Sequence, residues 1–502
     1  IIGRKVMEPF PDSIIQGESM KNRLMSIFFL NISNSGFLLT GLWFLLLLPS
    51  LIGYWGGYPL NPLSSSYVLI NQLEWLQRLG QSLFLGLIFG GVFFLYFCSI
   101  GAKAKVKEKK SILGWTAVFT LILVLTFPFA CQDVFYYMST GRLQSFYQVN
   151  PYLTSARQIS GWSSDPFLSS TGWGFLTSVY GPLWTAISGW TVSLAGNHFY
   201  PALFLFKLLA GLVHLFNTAL VGLTARKINL NPAQAMLIYG WNPLLLFELP
   251  GHAHNDALLL TFLILAVYAL STVRGIFTLP GLILAALIKY TPVLLIPHFA
   301  LWLYQKGRQQ ALLWGSLLSL GVISLTFYPY WEGLKTLEGL NRQINFYSIK
   351  SLHALISAIL YQLFPGYPKE ILFYGISLGL SCLFLALLLR DLWQQRSHPA
   401  SLGHLMNSGI WILVLYLLLA NKWFQPWYLA WLVPLAALTP WPNPLSQMAL
   451  FLTLTAELSR IPQMLFANVS FYVQLTTFLI AWLPMGFFIP ELKERLFRPS
   501  DK

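Results

Sequence analysis

Residues 112–130 read ILGWTAVFTLILVLTFPFA and pass directly into CQDVFYYMSTGR at 131–142. The first stretch carries no charge and, at ~1.5 Å per residue, is long enough to take an α-helix across roughly 30 Å of hydrocarbon. The second brings an aspartate at its third position. A carboxylate at the mouth of a membrane segment loses hydration and is costly unless another group answers its charge, and this chain has only 17 acidic residues among 502. Asp133 is therefore the first candidate for chemistry, as a base that takes a proton from an attacking hydroxyl. The bland alternative is a helix cap or a partner for Arg142.

Outward from that stretch, apolar runs recur at about 36–56, 82–101, 201–223, 256–271, 311–328, 371–389, 407–420 and 471–489. None shows the ~10-residue alternation of a membrane barrel strand. With 56% hydrophobic and 10% charged residues, the chain lacks the polar surface of a soluble protein of its length. It reads as an all-α polytopic membrane protein. No Ser- or Gly-rich linker and no fixed-period repeat interrupts the pattern, so residues 1–502 are taken as one domain.

The net charge of +14 is spread in short clusters between apolar runs, which excludes a nucleic-acid stripe and matches the positive-inside pattern. Lys103 to Lys110, Arg226-Lys227, Lys306-Gly307-Arg308, Arg390 to Arg396 and Lys493-Glu494-Arg495 are expected to face the cytoplasm. Asp133, the loop 331–350 and the loop 422–427 are expected on the opposite face. Residues 1–35, polar and basic at first, read as a cytoplasmic tail and interfacial segment, unlike a cleaved signal peptide. Cys98, Cys131 and Cys382 are too scattered for a disulfide framework or a thiolate metal site.

The largest outward loop runs over 131–200. Its second half, Trp173 to Leu194, is apolar enough either to lie on the membrane surface or to cross it. Between Arg274 and Lys306, an apolar stretch with basic residues at both ends is punctuated by Pro280, Pro292 and Pro297. This predicts a re-entrant pair of half-helices with Lys289-Tyr290-Thr291-Pro292 at its apex, because non-helical backbone at membrane depth is tolerated only beside a cavity.

The remaining candidates follow from their chemistry. Tyr136 and Tyr137 offer an amphipathic aromatic wall beside Asp133, although interfacial aromatics also serve as plain anchors. His252, His254, Asn255 and Asp256 bunch after Glu248; they lack helical metal-ligand spacing and read better as hydrogen-bond partners for sugar hydroxyls, or as caps of the following helix. The cations Arg142, Lys289, Arg342, Lys350 and Lys422 together offer what an anionic lipid phosphate requires, with Arg142 and Lys289 favoured. The aromatic turn Asn421 to Tyr428, including Trp427, reads as an interfacial belt or as the rim of a lipid groove.

These blocks, in order, are Gln132-Asp133 with Tyr136-Tyr137 and Gly141-Arg142, Asn150-Pro151-Tyr152, Tyr180-Gly181-Pro182-Leu183-Trp184, Trp241-Asn242-Pro243, Gly251 to Asp256, Ile288 to Pro292, and Gln425-Pro426-Trp427-Tyr428. Over about 110–440 they resemble the polyprenol-phosphate-mannose-dependent α-1,6-mannosyltransferases, within the broader GT-C membrane glycosyltransferases. The resemblance implies a GT-C-like bundle of about 11–14 transmembrane helices with a large first extracytoplasmic loop. It also implies residence in the cytoplasmic membrane and transfer of a hexose, by inversion, from a polyprenyl-phosphate sugar to a glycan or glycolipid. Asp133 would be the base; Arg142, Lys289, Arg342 and Lys422 would hold the donor phosphate. Tyr136, Tyr137, Asn150, Tyr152, Tyr180, His252, His254, Asn255, Asp256 and Trp427 would line the sugar or acceptor. Relatives often pair two acidic residues where this chain has Asp133-Val134, so no obligatory metal or other cofactor is expected, leaving room for a loose divalent ion at Asp165 or Asp256. A lipid-linked-oligosaccharide flippase or other transporter is the alternative from another class; internal pseudo-symmetry would favour it.

Overall fold

The computed structural model describes residues 31–55, 75–272, 274–343, 346–364, 366, 368–397, 401–466 and 470–488. The N-terminal tail and Lys493-Glu494-Arg495 lie outside the described residues. Within them the chain is all-helical apart from one isolated bridge between Glu332 and Leu334. Five helices are long and apolar enough to cross a membrane, at Arg78–Gly101, Phe199–Lys227, Gln309–Tyr330, Glu370–Ser397 and Leu402–Ala420. Other apolar segments, such as Asp256–Leu270 and Phe471–Phe487, are shorter.

The solvent of the outer faces is hydrocarbon. Only 11% of the most apolar window of Gln309–Tyr330 and 17% of that of Glu370–Ser397 is buried in the protein, against 67% for Leu402–Ala420. Leu313, Trp314, Leu320, Leu378, Leu385 and Leu389 all lie exposed on the first two, apolar faces suited to a membrane. The chain is an all-α polytopic membrane protein.

Four helices frame the region around Asp133. α1 (Lys109–Leu125) delivers the chain to it, α2 (Asp133–Ser145) begins with it, α3 (Pro182–Leu194) packs along α2, and α4 (Phe199–Lys227) returns through the bundle. Of the segment Trp173 to Leu194, Pro182–Leu194 is a helix, started by Pro182 at its first turn, where a missing amide costs nothing. Gly141 allows α2 and α3 to touch: a Cβ there would sit 2.4 Å from the Ser188 carbonyl oxygen.

Next comes a buried, broken helix. α5 (Pro232–Gly240), capped by the Asn231 side chain, is buried along its whole length. It is followed by Pro243–Leu246, capped by Asn242, and a wide turn over Phe247–Gly251 containing Pro250. Proline removes an amide and blocks regular continuation, so the chain lifts off as His252-Ala253-His254 before α6 (Asp256–Leu270) begins. Ala253 is left-handed at φ 59°, a conformation that costs a non-glycine residue roughly 1 kcal/mol or more and persists where its surroundings fix it.

The stretch 274–306 forms the expected hairpin. α7 (Thr278–Ala286) runs in, the backbone turns through Lys289, and α8 (Ile296–Gln305) runs back. Its two ends meet, since Gly275 abuts Leu303 and Arg308, and Arg308 Nη1 donates to the Leu270 and Thr272 carbonyls at 3.0 and 2.9 Å. The apex docks on the Tyr180-Gly181-Pro182 turn, where the Gly181 and Leu183 amides donate to Ile288 and Leu287. A Cβ on Gly181 would lie 2.1 Å from the Leu287 carbonyl oxygen, so only glycine permits this approach.

Among the described residues, the basic clusters meet in pairs at helix ends. Ala104 is bonded to Gln234 and Asn231 beside the end of α4, and Gln305 reaches the carbonyls of Gln395 and Arg396. The loops at 131–200, 331–350 and 422–427 also meet: Asn150 reaches the Tyr330 carbonyl, and the Ser348 amide donates to the Lys422 carbonyl.

Candidate active site

Asp133 begins α2 with its side chain 15% exposed, so it can meet a solute while lying against a largely apolar wall. Tyr180 donates to Asp133 Oδ2 at 3.0 Å. Behind the carboxylate lies His254, fully buried, with Nδ1 3.7 Å from Asp133 Oδ2 and Nε2 3.2 Å from Glu248 Oε2. The imidazole stacks on Trp427, with centroids 4.4 Å apart and planes tilted by 26°. The imidazole thus stands between two carboxylates, within ion-pair distance of each.

Glu248 continues the chain inward. Its Oε1 is ion-paired with Arg460, whose Nε donates to Glu457 Oε2 at 2.8 Å and whose Nη1 donates to the Ala130 carbonyl at 3.2 Å. The Ala130 amide in turn donates to His252 Nε2 at 3.0 Å, and His252 Nδ1 meets the Phe247 carbonyl. Both polar groups of Ala130 are thus held, which pins the segment that delivers Asp133. Lys207, fully buried in α4, donates to the Pro250 and Gly251 carbonyls and holds the lifted turn from below.

Several residues expected to line the sugar serve the scaffold instead. Tyr136 donates to the Thr177 carbonyl at 2.8 Å and Tyr137 to Asn255 Oδ1 at 3.2 Å, both buried. Asn150 bonds the Tyr152 amide and the Tyr330 carbonyl, while the Tyr152 hydroxyl bonds the Tyr180 carbonyl and Thr185. Asp256 is fully buried, with Lys289 Nζ at 3.0 Å and Trp431 Nε1 at 2.6 Å. Asp133, Tyr180, His254 and Trp427 are the ones brought together.

The favoured cations are already paired. Arg142 lies nine residues along α2 from Asp133, about 13 Å by helical rise, and is bound to Asp165 at 2.9 Å under the Phe146 ring. Asp165 also caps Phe167 and Leu168, so Arg142 and Asp165 fasten the loop and neither reaches the centre. Lys289 answers Asp256 and lies 4.5 Å from the Tyr428 ring centroid. Arg342 pairs with Glu338 on an exposed turn. Lys422 lies beside Phe373, 5.6 Å from the ring centroid.

The scattered cysteines gain one unexpected neighbourhood. Cys131, Asp133 and His254 present ligand atoms all within 4.8 Å of one another, a set able to take a borderline-soft divalent ion. Burial, with Asp133 and Glu248 nearby, pushes the Cys131 thiol well up, so the thiolate such an ion needs is disfavoured.

Arg460, Glu457 and Lys207 were absent from the sequence-based candidates. Charged residues inside apolar runs are the signal that could have found them.

Fold and site together define a polytopic helical membrane protein built round a carboxylate–imidazole centre. Residues 42–305, more than half of the chain, match the MptA/B family described as alpha-(1->6)-mannopyranosyltransferase, N-terminal domain. The chain belongs to that family, and it is a membrane mannosyltransferase. No curated protein and no solved structure matches it.

Proposed function

We propose that this chain transfers mannose from a polyprenyl-phosphate donor to a hydroxyl of a glycan or glycolipid, at the extracytoplasmic face of the cytoplasmic membrane. The observation that carries the reading is the part-exposed Asp133 carboxylate backed by His254 and Glu248 in a member of a mannosyltransferase family. The basic clusters between apolar runs support the sidedness, and the helical bundle with its large segment at 131–200 suits the GT-C architecture that the sequence resemblance implies.

The acceptor hydroxyl oxygen attacks the anomeric carbon as Asp133 removes its proton. The bond from that carbon to the phosphate oxygen breaks, and its electron pair leaves with the polyprenyl phosphate, so the configuration inverts. One base suffices because a phosphate is a fair leaving group once its charge is answered; the protein mainly aligns the reactants. Tyr180 holds Asp133 by a hydrogen bond, with His254 packed behind it. No resident cofactor enters the scheme.

The test is purified protein in nanodiscs, supplied with several radiolabelled lipid-phosphate sugars and lipid-extract acceptors. Asp133→Asn lowers transfer by roughly 10²-fold or more while its melting temperature stays near wild type. Retained turnover removes Asp133 from the mechanism, and a strict demand for a nucleotide sugar overturns the donor.

A further inference from the structure

We propose that Lys350 is the cation that receives the phosphate head of the lipid-linked donor. This rests on the reading above that the donor is a lipid phosphate, and it replaces the expected roles of Arg142 and Lys289. The chemistry recognised is a phosphate ester anion, whether the sugar-bearing donor or the lipid phosphate it leaves behind.

Lys350 is 4% exposed, yet among the described residues its ammonium forms no hydrogen bond or ion pair. Other buried or part-buried cations are answered: Lys207 by two carbonyls, Arg142 by Asp165, Lys289 by Asp256, and Arg460 by Glu248 and Glu457, while the less buried Lys422 has the Phe373 ring beside it. A desolvated ammonium without a partner is costly, and it is retained where an anion comes to it or where the group gives up its proton. The Ser348 amide ties its loop to Lys422, which stands on the loop 422–427 whose Trp427 stacks on His254 behind Asp133.

Its backbone is held as a binding group requires. The Lys350 amide donates to Ser348 Oγ at 3.2 Å, its carbonyl accepts from Trp482 Nε1 at 3.4 Å, and the Ser348 amide donates to the Lys422 carbonyl at 2.8 Å. Two residues on, Leu352–Leu363 begins, a helix of 12 residues capped by Ser351, so its positive end points to the same place. His353 in its first turn is fully buried with both ring nitrogens unpartnered. Burial pushes the Lys350 ammonium down to about 7; an arriving phosphate restores the proton, which couples binding to pH.

The experiment compares wild type, Lys350→Met and Lys350→Arg in nanodiscs. Donor KM and kcat are measured with polyprenyl-phosphate mannose, and binding of sugar-free polyprenyl phosphate is followed by tryptophan fluorescence. Inorganic phosphate is added as a competitor. We expect Lys350→Met to raise donor KM and weaken polyprenyl-phosphate binding by roughly 10- to 100-fold, to lower kcat because the leaving phosphate loses its cation, and to leave melting temperature equal or higher. Lys350→Arg keeps the affinity and carries it to higher pH. Competition by inorganic phosphate alone identifies a head-group site; competition only by the lipid form shows that the chain contributes. Unchanged binding in Lys350→Met overturns the proposal. If wild type transfers no mannose yet binds polyprenyl phosphate through Lys350, the functional reading fails and the anion site stands.

Discussion

His254 stands directly behind Asp133, its Nδ1 3.7 Å from the carboxylate oxygen. Its burial places it where a sugar does not reach, so it acts on substrate through Asp133. Replacing it with Asn is expected to lower kcat about 10- to 100-fold, within the range of general-base effects, with donor KM changed less than about threefold. Steady-state and single-turnover kinetics separate the two parameters. A raised KM with kcat preserved shows instead that His254 binds sugar, as the sequence suggested.

Arg460 answers Glu248 and Glu457 at once and holds the Ala130 carbonyl. Arg460→Leu leaves two buried carboxylates facing each other, and breaking such a network by removing one partner costs about 3–5 kcal/mol. The melting temperature in detergent drops sharply, and adding Glu457→Gln recovers part of the loss because one orphaned charge is gone. No change in melting temperature shows that the network is not formed.

Cys131 completes a three-ligand cluster with Asp133 and His254, and the raised thiol argues that it remains protonated. Cys131→Ser is expected to keep transfer within about twofold of wild type, and chelator treatment to leave turnover unchanged. Loss of activity on chelation, restored by zinc or manganese and abolished in Cys131→Ser, assigns the cluster to a metal.

The fold was legible because membrane burial writes itself as apolar run length, and the hairpin at 274–306 because basic ends and prolines bracket it. Asp133 and its neighbourhood were legible because a carboxylate in such a chain is scarce. The partners were not. Sequence shows that Arg142 and Asp165 are charged but not that they meet, and Glu248, Arg460 and Asp133 come together only through contacts spanning hundreds of residues. Arg142 and Lys289 were natural choices for the phosphate, and sequence does not show that each faces a carboxylate. Asn150, Tyr152 and Tyr136 have the right chemistry for sugars, but their hydrogen bonds go to the loop at 131–200 itself and, from Asn150, to the Tyr330 carbonyl.

Lys350 supplies the pH dependence. Its folded-state value lies near 7, below the ordinary lysine value of 10.5, because of burial. Between these limits the unfolded chain holds a proton that the folded chain has released, so stability of the ligand-free protein rises with pH through that window, by up to about 1.4 kcal/mol per unit. Donor affinity runs the other way, strongest below pH 7, where the ammonium is charged, and weakening as pH climbs above it. Melting temperature and donor KM measured from pH 6 to 9 therefore rise together in wild type. In Lys350→Met both slopes flatten, and if they persist unchanged some other group titrates.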